Sequence, residues 1–119
     1  MNLNHLNLCV PDVPDVCHFF ETYFDFHCLD IKGDALAVLE GTNGFTLVIS
    51  NFKKDVMPLY PDAFHIGFIV ETPEQVQAMY ERLQQGGVEM SHEPRTMRGS
   101  LIFYCSAPGA ILLEVSCKV

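Results

Sequence analysis

Basic residues are scarce in this chain: seven Lys and Arg stand against fifteen Asp and Glu, a formal net charge of −8. Nucleic-acid affinity depends on phosphates being neutralised by Lys and Arg, so neither nucleic acid nor an anionic membrane is an expected partner. No run approaches the roughly 20 apolar residues that a membrane-spanning helix needs. The start, Met1-Asn2-Leu3-Asn4-His5, also lacks the basic and apolar regions of a signal peptide. A cytoplasmic location is therefore expected. Cys9, Cys17, Cys28, Cys105 and Cys117 include no CxxC pair. An odd number of cysteines in a non-exported chain points to reduced, mostly buried thiols and excludes a disulfide framework. Gly41 and Gly44 mark a turn and not a phosphate loop. What is abundant is apolar material, 49% of 119 residues with 18% charged, enough for one domain spanning 1–119 and folded throughout.

The chain repeats itself. Leu3 to Val10 and Ala63 to Val70 are strand-like runs with a histidine at the third position, so His5 and His65 are equivalent. Each run leads into a helix. Pro14 suits a first-turn position ahead of Val16, Cys17, Phe20 and Phe24, while Thr72-Pro73-Glu74-Gln75 reads as a capping box ahead of Val76, Met79, Tyr80 and Leu83. Gly86-Gly87 stops the second helix. Short strands follow near 26–31, 35–40 and 45–50, and again near 88–92, 100–105 and 110–117, with loops such as Glu93 to Gly99 between them. The expectation is an α+β fold of two tandem βαβββ modules, 1–52 and 63–119, joined by a linker, 53–62. Their curled mixed sheets would surround a cleft, with helices on the outer faces. A pair of ferredoxin-like halves is the alternative.

Strand parity sorts the side chains. Leu6, Leu8 and Val10 oppose His5, Asn7 and Cys9; Phe64, Ile66 and Phe68 oppose His65 and Gly67. The apolar sets should pack on the helices and both histidines on the cleft side. Glu114 is a lone carboxylate in the otherwise apolar strand 110–117, a position that implies water, a cationic partner or a metal. Two imidazoles and a carboxylate facing one cavity form the ligand set of a divalent ion with open positions, available to Zn, Fe, Mn, Ni or Co. The competing reading is hydrogen-bonded structural histidines and a solvent-facing glutamate. Arg95 and Arg98 could attract a small anion or stand as solvated loop charges. Glu40 could face the cleft or the solvent. Phe45, Phe103 and Tyr104 could line a pocket or join the core. His18, His27 and His92 are expected at surface or helix positions.

LNHLNLCVPDV, HFFETYFDF, FHIGFIVE and LLEV, in this order and spacing, resemble the vicinal oxygen chelate superfamily, which includes glyoxalases, bleomycin-resistance proteins and extradiol dioxygenases. The resemblance implies metal ligation by His5, His65 and Glu114, and a homodimer. Glyoxalase I has a further glutamate at the position of Val48, so that chemistry is not expected here. The opening strand and Tyr104, ten residues before Glu114, are similar to fosfomycin-resistance proteins, whose pockets are richer in basic residues. The resemblance implies a metal-dependent lyase, transferase or dioxygenase acting on a small oxygen-chelating substrate. Glu114 and Tyr104 would be catalytic, and Asn7, Arg95, Arg98 and Tyr104 substrate-binding. A metal-free protein that sequesters an aromatic or cationic compound, similar to bleomycin-resistance proteins, is the alternative.

Overall fold

The computed structural model describes residues 1–52 and 57–119, so four residues of the expected linker, 53–56, lie outside the described residues. The chain divides into two compact units, Met1–Leu59 and Tyr60–Val119. Each unit is a strand, a helix and three more strands.

In the first unit β1 (His5–Cys9) leads into α1 (Val13–Tyr23), followed by β2 (His27–Lys32), β3 (Leu36–Glu40) and β4 (Thr46–Ser50). The sheet order is β1-β4-β3-β2, with β1 parallel to β4 and the other neighbours antiparallel. The side chain of Asp12 caps α1 by accepting from the Asp15 backbone N–H, and Pro14 occupies the first turn. Val13, Val16, Cys17 and Phe20 recur at helical spacing and are buried against the sheet residues Leu8, Ala37, Leu39, Leu47 and Ile49. Burying one such phenylalanine contributes about 1.5–3 kcal/mol. An extra residue bulges out of β2 between Cys28 and Asp30, which leaves Leu29 exposed.

The second unit comprises β5 (His65–Ile69), α2 (Pro73–Gln85), β6 (Arg95–Met97), β7 (Ser100–Ala107) and β8 (Ile111–Lys118), in sheet order β5-β8-β7-β6. The capping box at α2 forms as expected: Thr72 accepts from the Gln75 N–H while the Gln75 side chain accepts from the Thr72 N–H. At the other end Gly87, with φ +80°, donates to Gln84 and Val88 to Leu83, the paired bonds of a Schellman stop. Val76, Tyr80 and Leu83 are buried over β7 and β8, and the Tyr80 ring meets Phe103 edge-on at 5.5 Å. Phe103 is thus core.

One strand differs from expectation. Residues 88–92 make only an isolated bridge, Met90 to Cys105, and the regular edge strand is β6, inside the segment expected as a loop. Pro94 has no N–H to continue a ladder, so pairing breaks before it and resumes after it. Arg98 (φ +53°) and Gly99 (φ +77°) then form a two-residue turn with both residues left-handed, the type that matches strand twist. No helix among the described residues is long and apolar enough to cross a membrane.

Candidate metal centre and ligand face

The second unit brings three of the expected site residues together: His65, Glu114 and Tyr104. β5 and β8 are parallel neighbours in the register His65 to Leu112 and Gly67 to Glu114, and Tyr104 on β7 lies directly opposite Glu114. Leu113 and Val115 are buried on the helix side, so alternation places Glu114, Tyr104 and His65 on the other face. The histidine ring is fixed from behind. Its Nδ1 lies 2.9 Å from the Ala63 carbonyl oxygen, which can only accept, so Nδ1 carries the proton and donates.

In the neutral ring this leaves a lone pair on Nε2, which lies 3.6 Å from Glu114 Oε1. Two lone-pair donors facing one another repel unless a proton or a cation sits between them. Two ligand atoms 3.6 Å apart, each about 2.1 Å from one ion, would subtend about 118°, close to tetrahedral or trigonal geometry. The pair therefore fits part of a divalent-metal ligand set. Among the described residues no group of three or more His, Cys, Asp or Glu side chains converges as a metal cluster would.

The carboxylate is aimed by its neighbours. Tyr104 O–H donates to Oε1 at 2.9 Å and Ser116 O–H to Oε2 at 3.2 Å. Burial, then the hydrogen bond to Glu114 and its charge, raise the Tyr104 phenol above its ordinary value, while Arg98 acts in the lowering direction. Tyr104 thus remains a hydroxyl donor. Gly67 stands beside Glu114: a Cβ there would sit 3.6 Å from Oε2, so any longer side chain would meet the carboxylate.

His92 was not singled out by sequence spacing, yet it belongs to this face. Its ring meets Tyr104 at 6.1 Å and 75°, and His65 meets the same tyrosine at 5.8 Å and 84°. The irregular pairing of Ser91 with Tyr104 brings it there, since the Ser91 N–H donates to the Tyr104 carbonyl. His92 Nδ1 donates to the Glu93 carbonyl at 2.7 Å. Arg95 of β6 pairs with Ile102 of β7 and so shares the face of Tyr104, while Arg98 heads the adjoining turn.

The first unit carries the counterpart positions. His5 and Asn7 are exposed on β1, on the face turned away from Leu8. Ser50 O–H donates to Asn7 Oδ1 at 2.7 Å. Val48 pairs with Asn7 as Glu114 pairs with Gly67, so an apolar residue holds the position of the carboxylate. Glu40 pairs with Thr46, which pairs with His5, so Glu40 lies on the face of His5 two strands away and is exposed.

Residues 2–115 match the Glyoxalase/Bleomycin resistance protein/Dioxygenase superfamily. A Bacillus cereus protein described as a possible glyoxalase has 38% sequence identity and a TM-score of 0.85, with 98% of this chain and 99% of that one covered. A fosfomycin resistance protein from Listeria monocytogenes shares the fold at 22% identity and a TM-score of 0.81, covering 100% of this chain and 94% of that one. A lactoylglutathione lyase from Agrobacterium tumefaciens does so at 14% and 0.78, covering 98% and 92%. No curated protein matches. With a family match over nearly the whole chain and the same strand-helix-strand order in both units, the protein belongs to the glyoxalase, bleomycin resistance protein and dioxygenase superfamily.

Proposed function

We propose that the protein is a divalent-metal-dependent enzyme of the lyase, transferase or dioxygenase type, with His5, His65 and Glu114 as ligands. Its substrate would be a small molecule with two adjacent oxygens. The observation that carries this reading is the approach of His65 Nε2 to Glu114 Oε1 with the histidine proton already committed to Ala63. A divalent ion held there, whether Zn, Fe, Mn, Ni or Co, would supply Lewis-acid stabilisation of the oxyanion that develops on the substrate.

The surrounding residues have separable tasks. Ser116 and Tyr104 orient the Glu114 carboxylate. Tyr104, kept protonated, can present its hydroxyl to a substrate oxygen in exchange for the carboxylate. Arg95 and Arg98 offer positive charge to an anionic substrate group, and Asn7 offers an amide already oriented by Ser50. We further propose a cytoplasmic location and, on the family resemblance, a homodimer.

A metal-free sequestering protein is the second reading, favoured by the His65, Tyr104 and His92 rings and by the acidic balance, which suits an aromatic cation. Metal analysis of untagged protein separates the two. Stoichiometric metal that is lost in His5→Ala, His65→Ala and Glu114→Ala supports the enzyme. Full folding with no affinity for Mn, Fe, Zn, Ni or Co overturns it.

A further inference from the structure

The first sheet has an open outer edge. β2 ends the order β1-β4-β3-β2, and apart from Cys28 all its residues are exposed, including the apolar Leu29 at 57% and Ile31 at 47%. The bonds between β3 and β4 fix which of its backbone groups point outward. Gly41 N–H donates to the Phe45 carbonyl and Asn51 N–H to the Ala35 carbonyl, so alternation turns Ala37 and Leu39 towards β4, and Leu36 and Val38 towards β2. Lys32 and Asp30 lie opposite Leu36 and Val38 and bond inward; Ile31 and Cys28 lie opposite Ala37 and Leu39 and face out of the sheet. At Cys28 this edge is closed by α1: the Cys28 N–H donates to Glu21 Oε2 at 3.1 Å, and Glu21 Oε1 accepts from Cys17 Sγ at 3.8 Å. At Ile31, among the described residues, no further strand pairs with β2. An edge of this kind, with outward N–H and C=O groups and apolar side chains, is suited to receive another strand. We propose that it pairs antiparallel with β2 of a second copy of this chain, about a two-fold axis at Ile31.

Backbone direction and charge select both the partner and the register. With the axis at Ile31, each Ile31 N–H meets the partner's Ile31 carbonyl, the mutual exchange of a hydrogen-bonded pair. The neighbouring positions set Asp30 directly opposite the partner's Lys32, and Lys32 opposite the partner's Asp30, in close non-hydrogen-bonded pairs where opposite charges attract. An axis at Asp30 would oppose two carboxylates, and one at Lys32 two ammonium groups. Copies of a chain with net charge −8 repel one another, so a contact between them needs local complementarity of this kind. The two Ile31 side chains, on the face of the buried Ala37, would meet on the helix side and shield one another from water. The pairing joins the four strands of each first unit into one continuous sheet.

This surface rests on the homodimer reading above and not on the metal, since β2 carries none of His5, His65 and Glu114. Sedimentation velocity of the full chain over a range of concentrations tests it. The wild type should dimerise. Asp30→Lys and Lys32→Asp each place like charges opposite one another at both symmetric positions and should weaken the dimer about tenfold or more. An equimolar mixture of the two variants should associate again, and so should the double exchange, Asp30→Lys with Lys32→Asp, because opposite charges then face each other. Ile31→Pro removes an N–H that β3 does not use, so it should keep the native circular dichroism and lose the dimer. A monomeric wild type overturns the surface and the homodimer together. A dimer that Asp30→Lys and Ile31→Pro leave unweakened, or that the double exchange fails to restore, overturns the surface alone.

Discussion

Replacing Glu114 by glutamine changes one charge and almost no volume, so it separates a metal ligand from a structural ion pair. In the metal-free protein the glutamine oxygen can still accept from Tyr104 or Ser116, and its amide N–H can donate to the lone pair on His65 Nε2. The loss is limited to whatever attraction a protonated His65 makes at 3.6 Å. Coulomb's law gives about 1 kcal/mol in water and about 5 kcal/mol at an effective dielectric of 20. The His65 side chain is 41% exposed, so screening holds the net value near that of a surface pair, about 1 kcal/mol or less. Glu114→Gln should therefore shift the melting temperature of metal-free protein by about 4 °C or less. Metal affinity should fall much further, by about a hundredfold or more, because an anionic ligand is lost rather than reoriented. Calorimetric titration with Ni, Zn, Mn, Fe and Co, beside thermal melts of the stripped protein, reads both quantities. Unchanged metal affinity, or a large loss of stability in the stripped protein, would refute the reasoning.

Other perturbations probe the scaffold. Gly41→Ala places a Cβ 2.6 Å from Phe26 Cε1, a ring held edge-on against Phe20, and should cost about 1–3 kcal/mol in urea melts. Thr72→Ala removes the acceptor for the Gln75 N–H and should cost about 1 kcal/mol, whereas Thr72→Ser should restore most of it. Buried thiols predict a weakness at high pH. Their ordinary value is 9.0, but burial pushes Cys105 up to about 11, and burial with Cys28 and Glu21 pushes Cys17 up to about 12. Above pH 9 the unfolded chain sheds protons that the folded one keeps, so stability present below pH 9 declines as pH rises through 11 and 12. Urea midpoints at pH 8 and pH 10.5 should show the fall, and Cys105→Ala should make it shallower.

Much of this architecture is legible in the linear order of residues because strand parity and helix caps act over a few residues. His65 and Glu114 share a face by alternation alone, and Thr72 with Gln75 announces a helix start without knowledge of what the helix covers. What escaped depends on partners distant in sequence. The edge strand at 95–97 was expected earlier in the chain, since apolar residues at 88–92 resemble a strand and the interruption at Pro94 matters only once β7 is beside it. His92 reaches Tyr104 through that irregular pairing, which no periodicity encodes. The shared contacts of Cys17 and Cys28 with Glu21 need a helix laid over a bulged strand, and cysteine spacing carries no trace of it.

The buried serines hint at how a duplicated unit acquires chemistry. Ser50 and Ser116 hold matching positions, and each donates its hydroxyl to a polar group: an amide on the adjoining strand in one unit, a carboxylate on its own strand in the other. The donor stays in place while the acceptor changes strand, with Asn7 and Val48 exchanged for Gly67 and Glu114. The presence of a carboxylate in such a duplication is then a two-position trait. Exchanging this pair in the first unit, Asn7→Gly with Val48→Glu, would offer Ser50 a carboxylate and give the first unit the anionic group of its twin.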